Sequence, residues 1–402
     1  MSTSDPVVAE LQGLFGAFSF PEKLLQKIWL RGDFDRARAA TVDGQPVQVL
    51  HPGKWNLLGG PDFLGARWRV GGWNAPEISG DVEVHLRAED WAAHRHAQDP
   101  AYARVRLHVV LFPPPTGQVT RGSAGEAIPV LALLPLLHRS LEEFAADEAV
   151  ETLAQRPLAR VAEELAVLPG AELEGLLRRE ADRRWRQKGH FARLRLERLG
   201  WEAACHHAAL EVLGFRFNRA PMLRLAGEFP LPAWVAGTVA PDALYTHERD
   251  HWSLQGVRPA NHPRTRLRQY AEWIRLRPDW PARLRRESGR LALPDSTAGT
   301  REVRSRHGFA AQRERLAVEI CGGKLGGTRF DTLVCDALLP LLAVESGRAL
   351  QALWFHWFPG DLPPAIVGGL RQLGYLDGRE RPASQGAAQG LLGWWVEREN
   401  AG

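Results

Sequence analysis

The chain has 402 residues, of which 45% are hydrophobic, and it carries a formal net charge of +4 at pH 7. This composition is typical of a globular protein that is long enough for two or three domains with sizeable cores. No stretch approaches the roughly 18 uninterrupted apolar residues that a membrane-spanning helix requires. We therefore expect that the chain is not an integral membrane protein of the helical class.

Cysteine usage is sparse. The three cysteines, Cys205, Cys321 and Cys335, form no CxxC pair, which argues against a disulfide framework and against a structural zinc ribbon. The first residues, MSTSDPVVAE, lack the basic start and apolar core of a secretion signal. We therefore expect a cytoplasmic protein.

The first element in chain order is a predicted helix over residues 21–31, PEKLLQKIWLR, which carries Glu22 near its start. A Pro-Asp pair then places Asp62 at the beginning of an apolar stretch, FLGARWRV. Short apolar stretches bounded by glycine and proline are typical of strands. Residues 21–70 are thus expected to contain a helix followed by strands.

The next stretch, ISGDVEVH, alternates Asp81, Glu83 and His85 with valines. In a strand these three polar side chains share one face. If the stretch that holds Asp62 pairs beside it, Asp62 and Glu83 converge on one hard divalent cation, Mg²⁺ or Mn²⁺, with His85 next to it. The alternative is that Asp62 caps a turn and that the three polar residues form the solvated face of an edge strand.

Residues 88–103, AEDWAAHRHAQDPAYA, are predicted to form a helix. Since His94 and His96 are two residues apart, they would point about 200° from one another on that helix. Only a helix end or a loop would let both bind one metal ion. His94, His96 and Asp99 are therefore secondary candidates for the site.

The pattern of residues 105–112, VRLHVVLF, predicts an apolar strand. His108 lies on a face of this strand that could approach the strand of Glu83. The expectation is a role for His108 as a ligand or as a partner of a ligand, although a lone histidine in a core strand is more often a packing residue.

The chain is predicted to divide near the proline-rich stretch at residues 112–117, FPPPTG. A hairpin over residues 120–134 is expected to complete the N-terminal sheet. After residue 150 the apolar spacing becomes helical. The predicted fold is therefore α+β, with an α/β sheet domain over residues 1–150 and a mainly helical region over residues 151–402.

Arginine is dense in two segments of the helical region, residues 178–200 and 258–290. The interleaved aromatic residues are Trp185, Tyr270, Trp273 and Trp280. Arginine with aromatic side chains suits phosphate contact and base stacking, so nucleic acid is a predicted partner. The alternative is that these helices present solvated basic faces, because acidic residues are mixed into both segments.

The Pro61-Asp62 pair followed by Glu83-Val84-His85 resembles the motif of the PD-(D/E)xK nuclease superfamily, with histidine in place of lysine. The order helix, strands, helix, strand resembles the core of that superfamily as well. The resemblance implies a restriction-endonuclease-like fold and phosphodiester hydrolysis. The position of His85 departs from the pattern, because histidine is only fractionally charged near neutral pH whereas lysine carries a permanent charge.

A second resemblance covers nearly the whole chain. HPGKWNLLGGPDFLGARWRV, GDVEVHLRAEDWAAHRHAQDPAYARVRLHVV and later segments such as CGGKLGGTRFDTLVCDALLPLLA resemble a bacterial family catalogued as domain of unknown function 2851. That family has no established activity. Its pattern includes Asp62, Glu83, His85, His94, His96, Asp99 and His108.

The leading functional hypothesis is a metal-dependent nuclease in which Asp62 and Glu83 bind Mg²⁺ or Mn²⁺. Glu22 would complete the coordination or orient water, and His85 would shuttle a proton or donate to the scissile phosphate. One alternative is a non-catalytic scaffold or nucleic-acid-binding protein that retains the fold. The other is a zinc-dependent hydrolase in which His85 binds Zn²⁺ together with His94, His96 or His108. The oligomeric state stays open.

Overall fold

The structure is a computed structural model that describes residues 8–13, 16–153, 159–215, 218–255, 257–294, 299–376 and 382–401. The chain divides into two compact units, Met1–Ala145 and Ala146–Gly402. The first contains a mixed sheet and the second is mostly helical. At this level the predicted α+β class is confirmed.

Among the described residues, the N-terminal unit contains ten strands and short helices. The strands are β1 (Val8–Gly13), β2 (Gly16–Pro21), β3 (Val47–His51), β4 (Lys54–Trp55), β5 (Phe63–Val70), β6 (Ile78–His85), β7 (Val105–Val110), β8 (Thr120–Arg121), β9 (Ala127–Ile128) and β10 (Val130–Ala132). The helices are α1 (Glu22–Arg31) and α2 (Asp90–Ala93), with 3₁₀ turns at His96–Gln98, Pro100–Tyr102 and Leu134–Leu136, and α3 (Leu141–Leu153) begins in this unit and continues into the next.

The main sheet has the strand order β10-β7-β6-β5-β3, and β4 pairs with β5. β3, β5 and β6 pair antiparallel, whereas β6, β7 and β10 pair parallel. β1 pairs with β2, and β8 pairs with β9 in a small hairpin. The strand that carries Glu83 and His85 is therefore central in the sheet, with a neighbour on each side.

One face of the sheet is covered by α1. This helix begins after Pro21 and ends at Gly32, whose φ of 58° is the left-handed conformation that commonly terminates helices. Its buried residues, including Leu25 and Trp29, join Val82 and Val84 of β6 in one hydrophobic cluster. The predicted helix over residues 21–31 is confirmed, and its packing brings Glu22 to the end of β6.

The C-terminal unit has its own core. Its helices are α4 (Ala159–Ala166), α5 (Gly170–Leu213), α6 (Arg219–Glu228), α7 (Leu231–Val235), α8 (Pro241–His247), α9 (Pro263–Leu276), α10 (Trp280–Ser288), α11 (Thr300–Arg306), α12 (Phe309–Cys321), α13 (Gly327–Leu333), α14 (Leu339–Ser346), α15 (Gln351–His356), α16 (Pro364–Gln372) and α17 (Gln385–Ala401), with a 3₁₀ turn at Pro259–Asn261 and a π-helix at Val334–Leu338. α5 changes direction at Gly200, where φ is 73°. Within the described residues, no helix is both long enough and apolar enough to span a bilayer.

Candidate metal centre

The two predicted carboxylates are brought together by the pairing of β5 with β6. Phe63 lies opposite Val82 in this antiparallel pair, which places Asp62 beside Glu83. The backbone N–H of Asp62 donates to Glu83 Oε2 at 3.0 Å, and the backbone N–H of Val84 donates to Asp62 Oδ2 at 3.0 Å. Hydrogen bonds from two strands therefore fix both carboxylates.

Helix α1 contributes two further side chains to this centre. Gln26 Nε2 donates to Asp62 Oδ1 at 2.7 Å, while Gln26 Oε1 accepts from Trp55 Nε1 at 3.2 Å. Glu22 lies one turn earlier, and its Oε2 is buried with no hydrogen-bond partner among the described residues. Sequence reasoning missed Gln26, although its i+4 spacing from Glu22 puts both on one face of the helix.

Burial and mutual repulsion disfavour negative charge on all three acids. Burial, followed by the charges of Asp62 and Asp90, raises the pKa of Glu22 to about 8. Burial also raises the pKa of Asp62 to about 7, against the hydrogen bonds from Val84 and Gln26. Burial, followed by the charge of Asp62, raises the pKa of Glu83 well above its ordinary value. Such a cluster would be stabilised in its ionised form by a cation.

His85 lies on β6 next to these carboxylates. Its Nε2 is 3.5 Å from Glu83 Oε1 and 3.2 Å from His96 Nε2. His96 Nε2 is also 3.4 Å from Glu83 Oε1. One oxygen of Glu83 and two imidazole nitrogens thus face one another across similar distances.

The other nitrogen of His85 faces the neighbouring strand. His85 Nδ1 is 2.9 Å from His108 Nε2, and His108 Nδ1 is 3.0 Å from Thr120 Oγ1. Donation from His85 Nδ1 to His108, and from His108 Nδ1 to Thr120, leaves a lone pair on His85 Nε2. His108 is therefore placed as a partner of His85, one of the two roles expected for it, and Thr120 is a residue that sequence reasoning missed.

The predicted helix over residues 88–103 is wrong in its extent. α2 covers only Asp90–Ala93, and His94 caps its C-terminus. Arg95 then adopts a left-handed conformation with φ of 59°, after which His96 begins a 3₁₀ turn. This early end of the helix turns both histidines toward β6, so that ligand nitrogens of His85, His94 and His96 lie within 4.8 Å of one another.

The buried imidazoles are neutral at pH 7 because desolvation disfavours their charged form. Burial, followed by the proximity of other histidines, lowers the pKa of His85 to about 2 and that of His96 to about 4. The pKa of His108 is lowered to about 3 for the same reasons. His85 in this state does not supply the positive charge of the lysine whose place it takes, but it offers a lone pair to a proton or a metal.

Two aromatic residues hold His96 in place. Tyr102 stacks on its ring with a centroid separation of 3.8 Å, and Trp91 packs at 5.2 Å. Trp91 Nε1 also donates to the backbone carbonyl of Arg121 at 2.9 Å, which ties α2 to β8. Neither residue was predicted, since the irregular turns between α2 and β7 have no regular periodicity that would show which side chains share a face.

The carboxylates of Asp81 and Asp99 make their hydrogen bonds with backbone groups outside this cluster. Asp81 Oδ1 accepts from the backbone N–H of Gly65 at 2.9 Å, and Arg104 Nε lies 3.8 Å from the same carboxylate. Asp99 is exposed and accepts from the backbone N–H of Ala101 at 2.9 Å, which caps a 3₁₀ turn. The pairing of β6 with β7 shifts register between Asp81 and Val82, which interrupts the simple alternation expected from the sequence.

The interpretation of β6 as a solvated edge strand is wrong. β6 has neighbours on both sides, and Glu83 and His85 are only 5% and 1% exposed. A polar strand face in this position is lined by other polar side chains rather than by solvent. Its buried charges need partners to offset their desolvation.

In the C-terminal unit, the arginine-rich segments have a structural explanation. Tyr270, Trp273 and Trp280 are fully buried in the core of that unit, and Trp185 packs against Trp354. Many of the arginines pair with carboxylates, such as the arginines of the ion pairs Arg195–Glu211, Arg268–Asp242 and Arg283–Asp279. The expectation that Tyr270, Trp273 and Trp280 stack on bases is therefore wrong for the folded protein.

Comparison with known proteins identifies a family whose function is unknown. Searches of curated proteins and of solved structures give no match. A family model described as "Protein of unknown function (DUF2851)" matches residues 22–238, which include every residue of the metal centre described above. The match covers more than half of the chain, and the protein belongs to this DUF2851 family.

Proposed function

We propose that the N-terminal unit is a metal-dependent nuclease that hydrolyses phosphodiester bonds of nucleic acid. The observation that carries this proposal is the convergence of Asp62 and Glu83, fixed by backbone hydrogen bonds, beside the unpartnered carboxylate oxygen of Glu22. Hard carboxylate oxygens are the preferred ligands of Mg²⁺ and Mn²⁺. Buried acids with raised pKa values in one cluster are typical of functional sites.

The arrangement of elements supports the same assignment. α1, then β3, β5 and β6, then α2 and finally β7 follow the order helix, strands, helix, strand. The Pro-Asp pair precedes one strand of this series, and the Glu-x-His triplet ends the next. Both positions agree with a restriction-endonuclease-like PD-(D/E)xK core, which is the fold we propose for this unit.

Each side chain has a distinct role in the proposed reaction. Asp62 and Glu83 would hold the ion, and Glu22 would complete the coordination or orient the attacking water. Such an ion would supply a lowered pKa for that water and a charge that offsets the phosphate. The water oxygen forms a bond to phosphorus, the bond to the leaving oxygen breaks, and the products are a phosphomonoester and an alcohol.

His85 acts in this scheme as an acceptor rather than as a fixed cation. Its Nδ1 is engaged by His108, so only its Nε2 faces the carboxylates. In this orientation the neutral imidazole would accept a hydrogen bond from the attacking water and orient it, while the proton of that water passes to solvent or to the leaving group. This role differs from the charge stabilisation that a lysine provides.

Two alternatives differ in chemistry. A zinc-dependent hydrolase is favoured by the proximity of His85, His94 and His96, because imidazole ligands suit zinc. A non-catalytic scaffold would keep the fold without turnover.

Under each of the three hypotheses a cytoplasmic location is supported by the three free, buried cysteines.

The test is cleavage of labelled single-stranded and duplex DNA and RNA by the full-length protein with Mg²⁺, Mn²⁺ or Zn²⁺. Asp62→Asn should reduce the rate by roughly 100-fold or more, which is the scale on which one electrostatic stabiliser acts. Asp81→Asn is the matched control, since Asp81 lies on the same strand as Glu83 but interacts with Gly65 instead.

The outcomes separate the hypotheses. Cutting with Mg²⁺ or Mn²⁺ that is lost in Asp62→Asn and kept in Asp81→Asn supports the nuclease. Cutting that needs Zn²⁺ alone supports the zinc hydrolase. Equal cutting by wild type and Asp62→Asn, or no cutting by folded wild type with any of the ions, overturns the proposal.

A further inference from the structure

Three atoms on the imidazole side of the centre form a nearly equilateral triangle. The distance from His85 Nε2 to His96 Nε2 is 3.2 Å, and Glu83 Oε1 lies 3.4 Å from His96 Nε2 and 3.5 Å from His85 Nε2. We call these three atoms the imidazole triangle. Its members come from β6 and from the turn after α2, so the arrangement depends on the fold rather than on one local motif.

The size of this triangle matches a metal coordination sphere. In a tetrahedral zinc site with metal–ligand distances of about 2.0–2.1 Å, neighbouring ligand atoms are about 3.3–3.4 Å apart. The three edges of the imidazole triangle differ from that value by about 0.2 Å or less. We propose that the imidazole triangle is a second ion site, which binds a zinc-class ion next to the carboxylate site.

His94 is the natural fourth ligand. One of its ring nitrogens lies within 4.8 Å of the ligand nitrogens of His85 and His96, and its ring centre is 5.1 Å from that of His85. Unlike the triangle, His94 is exposed. A rotation of this side chain closes the site from the solvent side and completes four ligands, the usual number around zinc.

The surroundings of the triangle orient its ligands. His85 is held by His108, and His108 by Thr120, so that His85 Nε2 points at the triangle, 3.2 Å from His96 Nε2. Metal-binding histidines almost always donate their other ring N–H to an acceptor, and His108 Nε2 takes that place here. The stacking of Tyr102 on His96 fixes the second imidazole in the same way. A chance cluster of histidines would not need these orienting contacts.

Glu83 divides its two oxygens between the two sites. Its Oε2 accepts from the backbone N–H of Asp62, while its Oε1 belongs to the imidazole triangle. The inference rests on the proposed function in this respect, because a shared Glu83 makes the two sites one binuclear centre. When the imidazole triangle holds its ion, the lone pair of His85 Nε2 is bound to that ion, and the proton of the attacking water passes to solvent without His85. The imidazole site differs in ligand chemistry, however, and its binding of zinc is measurable without any activity.

The experiment is equilibrium dialysis of chelator-treated full-length protein against Zn²⁺ with excess Mg²⁺, followed by metal analysis, with Co²⁺ absorption as a second readout of geometry. Wild type should retain one zinc-class ion and give the intense visible bands of tetrahedral Co²⁺. His96→Ala should abolish both signals. His94→Ala, at an exposed position where folding is not at risk, should weaken binding by roughly 10-fold or more.

His247→Ala is the control, since His247 is an exposed histidine of the C-terminal unit that pairs with Glu228. It should leave zinc binding unchanged. Asp62→Asn should also keep the zinc-class ion, because Asp62 contributes no atom to the triangle. The failure of the nuclease proposal and the failure of this inference are therefore distinguishable.

Three results would overturn the inference. They are the absence of retained Zn²⁺ in folded wild type, retention of the full equivalent in His96→Ala, or an equal loss in His94→Ala and His247→Ala. A weak octahedral Co²⁺ spectrum in wild type would likewise contradict a tetrahedral site.

Discussion

Asp62 donates its backbone N–H to Glu83 Oε2 at 3.0 Å, across the pairing of β5 with β6. The Asp62 carboxylate accepts in return from the backbone N–H of Val84, the residue after Glu83. The two acids are thus positioned by neighbouring strands of the main sheet and not by flexible loops. Sites on rigid elements hold ligands with the accuracy that metal binding requires.

Gln26 is expected to tune the ionisation of Asp62. Its Nε2 donates to Asp62 Oδ1 and lowers the pKa of that carboxyl against the effect of burial. Gln26→Met removes the donor while keeping the length of the side chain. We predict that Mn²⁺ binding, measured by calorimetry over a range of pH, will require a higher pH in this variant.

The control for that measurement is Gln45→Met, because Gln45 bonds Asp43 in an exposed turn. Its Mn²⁺ binding should follow the wild-type pH profile. An unchanged profile in Gln26→Met would show that the hydrogen bond to Asp62 has no part in metal binding.

The metal-free protein is expected to lose stability as pH rises. The folded-state pKa values of Glu22 and Asp62 are about 8 and about 7, above their ordinary values, so the folded protein keeps protons that the unfolded chain has released. The stability that this uptake provides is full below the unfolded pKa values and is lost as pH rises toward the folded values. The lowered pKa values of the histidines act only below about pH 6.5, where acid destabilises the folded state.

Between about pH 6.5 and 8 the carboxylates therefore dominate, and each can contribute up to about 1.4 kcal/mol per pH unit. We predict that the free energy of unfolding in chelator, measured with urea, falls over this range and is restored by Mn²⁺. Glu22→Gln should flatten the slope, whereas the exposed Glu77→Gln should not. A flat wild-type profile would contradict the burial of ionisable acids at this centre.

We expect Thr120 to affect both stability and zinc binding through its hydrogen bond with His108. Thr120→Val removes the acceptor for His108 Nδ1 in a buried position, which should cost about 1–3 kcal/mol in the free energy of unfolding. It should also weaken Zn²⁺ binding by roughly 10- to 100-fold, as the loss of an orienting partner does. Thr120→Ser keeps the hydroxyl and should restore both. Full zinc affinity in Thr120→Val would mean that the orientation of His85 does not depend on this chain of contacts.

We expect position 53 to require glycine, because the backbone of β5 passes close to it. Its φ is 96°, and a Cβ there would lie 3.0 Å from Phe63 Cβ and 3.1 Å from the carbonyl oxygen of Leu64. Gly53→Ala should destabilise the protein by about 1–3 kcal/mol through strain at the start of β5. Gly44 has a φ of 86°, but a Cβ there would have no neighbour within 4 Å. Gly44→Ala therefore reports the cost of the backbone conformation alone, and the extra loss in thermal stability of Gly53→Ala reports the cost of the steric clash. Equal losses in the two variants would assign the effect to backbone conformation alone.

The sequence predicted the elements that have clear periodicity. The helix carrying Glu22 and the strands around Glu83 and His108 lie where the pattern placed them, because alternation and helical spacing report directly which side chains are buried. The predicted α+β class follows from the same patterns. The prediction that Asp62 and Glu83 converge needed only the assumption that their strands are neighbours.

Contacts set by tertiary structure could not be predicted in this way. The helix before His94 ends early, at Ala93, and the left-handed residue that follows is Arg95, so the sequence has no glycine signal there. The partnership of His108 with Thr120 depends on a two-residue strand that is too short to have a period. Arginine with aromatic residues indicated stacking on bases, but burial of Tyr270 and Trp273 is a property of the packed core.

The most direct test of the central claim is the anomalous scattering of Mn²⁺ in crystals of the full-length protein. We predict a peak within roughly 2.0–2.6 Å of carboxylate oxygens of both Asp62 and Glu83, the range for hard cations. The same crystals of Asp62→Asn should lack it. A well-ordered N-terminal unit with no anomalous peak at these carboxylates, at saturating Mn²⁺, would contradict the account.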